Sequence, residues 1–159
     1  MRRSPKPSHR SGCPIGITLD MLGDPWTLLV VRDLMFKGSN SFGDFLSADE
    51  GIATNILADR LSRLEANGIV EKKRDPADAR RVVYWLTGKG IDLAPVMVEI
   101  VLWAARYEIT DAPPEIVRAM RKDRTAFVAR LRAAWRGSLH AIRSARAATR
   151  ASPRRPLPR

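Results

Sequence analysis

Cysteine, histidine and long apolar runs are all scarce in this chain. One cysteine in 159 residues, Cys13, excludes an intramolecular disulfide. The two histidines, His9 and His140, both fall in segments that read as flexible, so no His/Cys spacing offers a metal site. No Gly-rich phosphate loop occurs, and no nucleophile stands beside a base. The acidic residues are scattered over helix exteriors, where solvated charge accounts for them. These absences argue against an enzyme and call for no cofactor. No run of about eighteen apolar residues exists, so no membrane span is expected. The opening MRRSPKPSHRSG is basic and lacks the apolar stretch of a signal peptide. With the single cysteine, this predicts a reducing, cytoplasmic setting.

What is abundant is positive charge, and its placement matters more than its total of +11. Residues 1–13 hold four basic residues and no acidic ones. Residues 14–114 hold 11 basic against 15 acidic, and residues 115–159 hold 13 against 2. The high pI therefore belongs to the ends and does not by itself show that the folded part binds nucleic acid. Within 14–114, however, five of the 11 basic residues lie between Lys72 and Arg81, and that local concentration is more informative than the pI.

That cluster ends the stretch around which the chain is organised, Gly51 to Arg81. Leu57, Leu61 and Leu64 share one helical face. The opposite side carries Asn55, Ala58, Asp59, Ser62 and Ala66, with Arg63 at its edge. Gly68 favours the positive φ that ends a helix. Ile69 and Val70 open a strand that turns basic at Lys72, Lys73 and Arg74. After a Pro-containing turn, Val82, Tyr84 and Leu86 alternate on the return strand. A helix with a polar outer face followed by a basic hairpin is the winged helix-turn-helix arrangement. Small α+β domains without a nucleic-acid role also pair such a helix with a hairpin.

The rest of the chain fits the winged-helix reading. Residues 1–12 read as a flexible basic arm, and 13–110 as the DNA-binding and dimerisation domain. Ile15, Leu19 and Leu22 mark one face of a short helix. Asp24 and Pro25 suit the cap and first turn of a buried helix, WTLLVVRDLMF. Ser41–Leu46 gives a strand entry and a short helix, the first of the helix-turn-helix pair. Thr87 caps a longer helix in which Leu93, Val96, Ile100, Trp103 and Tyr107 recur at spacings of three and four. Val98, Val101 and Leu102 add a second apolar face. Either a homodimer partner or residues 115–136 of the same chain covers the excess. Residues 111–136 read as one C-terminal helix, and 137–159 as a disordered basic tail. The fold class expected is mainly α with a small β-hairpin, a winged helix-turn-helix with flanking dimerisation helices.

The chain opens with Cys13-Pro14-Ile15, Thr18-Leu19-Asp20, Gly23-Asp24-Pro25-Trp26, Leu28-Leu29 and Arg32-Asp33. Phe42, Phe45-Leu46, Gly51-Ile52, Leu64-Glu65, Gly68-Ile69-Val70 and Leu86-Thr87 with Gly90 continue the pattern, which spans roughly residues 13–107. Together these motifs resemble the HxlR-type transcriptional regulators, relatives of the MarR group. The resemblance implies a bacterial, dimeric repressor-type regulator, associated with the nucleoid, that binds double-stranded DNA at a palindromic operator. It places dimer contacts on the first helix and on the helix after the wing: Ile15, Leu19, Leu22, Val96, Ile100, Trp103 and Tyr107. It also makes Cys13 a candidate redox sensor, with a structural role in the dimer as the alternative. Arg10, near in sequence, is a candidate for activating that thiol. An oxidant and a non-covalent small molecule are both open as inducers.

The chain departs from the family pattern in three places. The wing, Asp75 to Arg81, is closer to the MarR form, in which an acid braces an arginine; here Asp78 can brace Arg80, or the tip is simply solvated. Ala53 stands where a capping Ser is common, which leaves Thr54 to cap. The segment past about residue 110 is longer than the family core, and the resemblance assigns it no role. The outer helix face offers Thr54, Asn55, Asp59 and Ser62 to bases or phosphates, Asn55 being suited to adenine. Arg63 reaches phosphate or pairs with Asp59. Lys73, Arg74, Arg80 and Arg81 grip the backbone or minor groove. The other reading is a protein-interaction module whose basic ends bind nucleic acid without sequence preference.

Overall fold

A computed structural model describes residues 9–75, 78 and 80–151, with side chains as far as residue 140. Most of the expected basic arm, residues 76, 77 and 79 of the wing tip, and the last eight residues of the tail lie outside the described residues.

Helix α1 (Pro14–Leu22) begins with proline at its first position, where a missing N–H costs nothing. Asp24 then accepts the N–H groups of Trp26 and Thr27 at 2.9 and 3.0 Å. It acts as the expected cap, although regular helix starts only at Thr27. Helix α2 (Thr27–Arg32) runs into a π-helical turn, Asp33–Lys37, and stops at Gly38, whose φ of 71° lies in the left-handed region. Helix α3 (Phe42–Leu46) carries a capping box, with Ser41 and Asp44 each accepting from the other's backbone N–H. Those N–H bonds, Ser41's foremost, hold the Asp44 carboxyl below the usual range. Helix α4 (Thr54–Ala66) buries Leu57, Leu61 and Leu64, and Gly68 at φ 66° turns the chain into the hairpin.

Strands β1 (Val70–Arg74) and β2 (Val82–Leu86) pair antiparallel, Val70 opposite Leu86 and Lys72 opposite Tyr84. Ser41 bridges to Val83, and the Tyr84 N–H donates to the Asn40 carbonyl at 2.7 Å, so the entry to α3 makes a rudimentary third strand. The expected alternation on β2 needs correction. Val83 and Leu86 are buried whereas Val82 is exposed, because structure packs against both faces of this strand.

Thr87 caps as expected, its side chain accepting from the Gly90 N–H. The cap opens only the short α5 (Gly88–Ile91), and the long helix α6 (Ala94–Tyr107) begins afresh with Pro95 in its first turn. Gly90 packs so closely on the strand entry that a Cβ there would lie 2.2 Å from the Ile69 carbonyl oxygen. Gly90→Ala is therefore expected to cost about 1–3 kcal/mol through forced backbone movement. Gly88→Ala, whose Cβ would meet nothing within 4 Å, should cost nothing by the same urea titration. Equal stability of the two variants would show that α5 shifts freely.

The C-terminal region differs most from expectation. It is two helices, α7 (Pro114–Lys122) and α8 (Arg124–Ala151). Asp123, in extended conformation, breaks the run and accepts the Ala126 N–H at 2.8 Å, capping α8. Helix α8 passes through Gly137 rather than ending there. Few large hydrophobes suggest disorder, but alanine and arginine are among the strongest helix formers. Among the described residues no helix is long and apolar enough to cross a membrane.

One core joins these elements, with Val31, Phe45, Leu57, Leu64, Ile69, Val98 and Met120 almost wholly buried. Val98 and Leu102 of α6 pack with Val117, Met120, Phe127 and Val128, so α7 and α8 cover one of its apolar faces. The other stays open: Val96, Ile100, Trp103 and Tyr107 are exposed, Trp103 by 65%. Ile15 and Leu19 on α1 are likewise exposed. Leu22 does not belong with them. It is only 5% exposed, because the last turn of α1 reaches the core while the first turn stands clear.

Candidate nucleic-acid interface

Helix α4 presents the predicted outer face. Thr54, Asn55, Asp59, Ser62 and Arg63 are all exposed. Ala53, in extended conformation, occupies the cap position and makes no side-chain bond, so Thr54 is the first helical residue and not the cap. Its hydroxyl and the Asn55 amide are left at the helix N-terminus without intramolecular work among the described residues. Backbone N–H groups that point out of a helix start favour an anion such as a phosphate.

A small set of ion pairs and hydrogen bonds fixes how α4 stands on the domain. Arg60, half-buried, lies 3.4 Å from Asp24 and 3.5 Å from Asp59. Arg63 neither hangs free nor pairs with Asp59; it donates to the Asp20 carbonyl of α1 at 3.3 Å. Arg32 on α2 clamps Glu50, in the turn leading to α4, while its Nη2 lies 2.7 Å from the buried Asp33. The Arg32 hydrogen bond holds the Glu50 carboxyl down to about 2, so the clamp stays charged at neutral pH. Arg32 and Arg60 are positioning residues that the linear pattern did not reveal.

The wing arginines divide. Asp78 accepts the Arg80 backbone N–H at 3.0 Å, and the Arg80 guanidinium lies 3.5 Å from the same oxygen. This is the bracing expected of the MarR-like form, and the Arg80 side chain remains 95% exposed. Arg81 sits between Asp44 at 3.6 Å and Asp75 at 3.8 Å, linking the wing to α3. Lys73 is half-buried and bound to Glu71 at 2.5 Å; Lys72 reaches Glu65 of α4 at 3.2 Å. Arg74 is exposed at the end of β1. Arg80 is thus the wing cation best placed to reach outward.

Cys13 is an exposed free thiol in the cap position of α1. Arg10 is not turned toward it. Its guanidinium binds Asp20, Nε to Oδ1 at 2.6 Å, and holds that carboxyl below its ordinary range. Among the described residues no group of three His, Cys, Asp or Glu side chains converges as a metal site.

A polar, exposed helix set between a short helix and a braced basic hairpin has counterparts among known proteins. The family model described as HxlR-like helix-turn-helix matches residues 21–112. An HTH-type transcriptional regulator of Synechocystis is 40% identical over 86 residues, 54% of this chain and 63% of that protein. The chain thus spans less than two thirds of that relative's length. The HTH-type transcriptional regulator YodB of Bacillus subtilis is 34% identical over 96 residues, 60% of this chain and 85% of YodB. Its reduced form superposes with a TM-score of 0.51 at 33% identity, covering 60% of this chain and 93% of that one. Quinone-bound YodB gives 0.50 at 32% identity, covering 60% and 99%. The oxidized form of the redox regulator HypR gives 0.53 at 28% identity, covering 62% and 100%.

Proposed function

The chain belongs to the HxlR-like helix-turn-helix family, and from that premise we propose that it is a sequence-specific transcriptional regulator acting as a homodimer on a palindromic operator. In this reading α4 lies in the major groove, with Thr54, Asn55, Asp59 and Ser62 toward the bases. Arg80, with Arg74, Arg81 and Lys73 behind it, meets the flanking backbone or minor groove. The observation that carries the reading is the outer face of α4, exposed and carrying only polar or small residues, while Arg60 and the Arg32–Glu50 clamp hold the helix from behind and Arg63 ties its edge to α1. Binding-site selection from random DNA tests it. A two-fold symmetric consensus is expected, with half-sites about one helical turn apart or a multiple of that. Recovery of no consensus, with binding that salt abolishes equally for every sequence, would favour the protein-interaction reading.

The signal follows from Cys13. Its thiol is exposed, at the start of a helix whose Ile15 and Leu19 form part of the proposed dimer face. YodB, which resembles this chain, binds a quinone. Addition of a thiolate to a quinone needs no second cysteine, which suits a chain that has one. Cys13→Ser should leave reduced DNA binding intact and remove the loss of binding caused by a quinone or diamide. An unmodified protein that holds its operator in both reagents would end the thiol reading and leave a non-covalent inducer.

A further inference from the structure

We propose that the cleft between the π-helical turn, β2 and α8 binds a flat aromatic small molecule bearing one anionic group. The cleft measures about 470 Å³, within the range of about 300–1,000 Å³ usual for small-ligand sites. Phe36, Tyr84, Trp85 and Trp135 line it, four of the ten aromatic residues in the whole chain, together with Leu131. Aromatic walls select a flat guest, since rings pack best edge-on or offset against another ring. Lys37 is the one charged residue among those lining the cleft; its ammonium lies 3.5 Å from the buried Asp33, and its half-exposed side chain keeps further N–H donors for an anionic group on the guest.

The two indoles differ in a way that points to a guest. The Trp135 N–H donates to the Leu86 carbonyl at 2.8 Å and fastens α8 to β2. The Trp85 N–H is buried with no partner among the described residues. Native proteins rarely leave a buried donor unpaired. A turn of the Trp85 ring toward the cleft it lines would bring that N–H to an acceptor oxygen of the guest. The turn that contributes Phe36 and Lys37 is π-helical, a departure from regular helix that recurs at functional sites. A larger cleft of about 540 Å³ between α6 and α8 lacks these features, since no aromatic residue lines it.

The place of the cleft gives its occupant a route to the DNA-facing surface. β2 is one wall and also one strand of the wing. The Tyr84 N–H ties the wing to the entry of α3, and the Tyr84 ring meets Phe45 edge-on at 6.1 Å. The opposite wall, α8, lies beyond residue 112, where the family match ends. The site is therefore a property of the C-terminal addition. Its regulatory meaning rests on the function proposed above, whereas its binding of a ligand does not.

The test uses the full chain and 1-anilinonaphthalene-8-sulfonate, a flat aromatic anion, without DNA. Saturable binding of one dye per chain is expected, with quenching of tryptophan emission. Ala134→Phe fills the cleft from α8 and should weaken the dye about tenfold or more. Lys37→Met should weaken it about threefold while leaving the uncharged N-phenyl-1-naphthylamine unaffected. Trp103→Ala, outside the cleft, should change neither. Should Ala134→Phe fold poorly, the contrast between charged and neutral dye in Lys37→Met decides. Loss of dye on Trp103→Ala alone would place it on the open α6 face, and unchanged affinity in a folded Ala134→Phe and in Lys37→Met would overturn the site. Dye binding in a protein that ignores its selected operator would refute the regulator and keep the cleft; the reverse result would do the opposite.

Discussion

Trp103→Glu and Ile100→Glu are each expected to turn a particle of about 36 kDa, twice the 17.8 kDa chain, into a monomer at micromolar concentration. The open face of α6 is the cause. Trp103 and Tyr107 pack together with centroids 5.6 Å apart, and the Arg106 guanidinium stands 5.4 Å over the Tyr107 ring. Tryptophan, tyrosine and arginine are the residues that most often dominate an interface, and here they are ordered before any partner arrives. A carboxylate in the middle of that cluster would be desolvated on association, a cost that Arg106 alone, spread over the Tyr107 ring, would not offset. In the isolated chain the same side chain is exposed, so the monomer should keep its stability within about 0.5 kcal/mol. Operator affinity should fall about 100-fold or more, since two half-sites can no longer be held at once. Sedimentation velocity and operator titration on the same samples check both effects. A variant that stays dimeric, or a wild-type protein that is already monomeric, would remove α6 from the interface.

The parts of this molecule that were legible in its sequence are those governed by local periodicity and punctuation. Leu57, Leu61 and Leu64 are buried and Asn55, Asp59 and Ser62 exposed, as the helical period requires, and Gly68 turns the chain where positive φ was needed. Thr87 and Asp24 cap as their side-chain oxygens allow. What could not be read spans distance. The link from Arg32 to Glu50 crosses 18 residues and that from Arg63 to Asp20 crosses 43, so no local pattern announces either. Leu22 shares its helix side with Ile15 but lies two turns on, and only the tertiary packing separates a core residue from a surface one. The aromatic cleft escaped for the same reason, since Phe36, Trp85 and Trp135 meet only after α8 returns to the hairpin. In α8 itself composition misled where propensity did not. The Asp123 break, by contrast, was present as a capping residue between two helical runs.

Asn55→Ala should lower affinity for the selected operator by about 1–3 kcal/mol for each bidentate base pairing removed and leave affinity for random DNA nearly unchanged. Arg80→Ala should weaken both by a similar factor. The reason is the division of labour in the structure. Asn55 is exposed on the first turn of α4, where a side-chain amide can meet a base edge with both its donor and its acceptor. Arg80 projects from the wing, its backbone pinned by Asp78 and its guanidinium almost wholly in solvent. An arginine so placed meets phosphate, and phosphate carries no sequence information. Salt separates the two further. Removing Arg80 should reduce the log–log salt slope by roughly one for each phosphate no longer neutralised, whereas Asn55→Ala should leave it unchanged. Arg81→Ala should have a smaller effect than Arg80→Ala, because Arg81 is already engaged by Asp44 and Asp75. The 13 basic residues after position 114 add non-specific affinity, so all variants must be compared at one salt concentration in the full chain. If Asn55→Ala and Arg80→Ala reduced operator and random-DNA binding in the same ratio, α4 would not be the reading element. If neither changed binding at all, the affinity would reside in the basic ends of the chain, and the winged helix would be left to serve a protein partner instead.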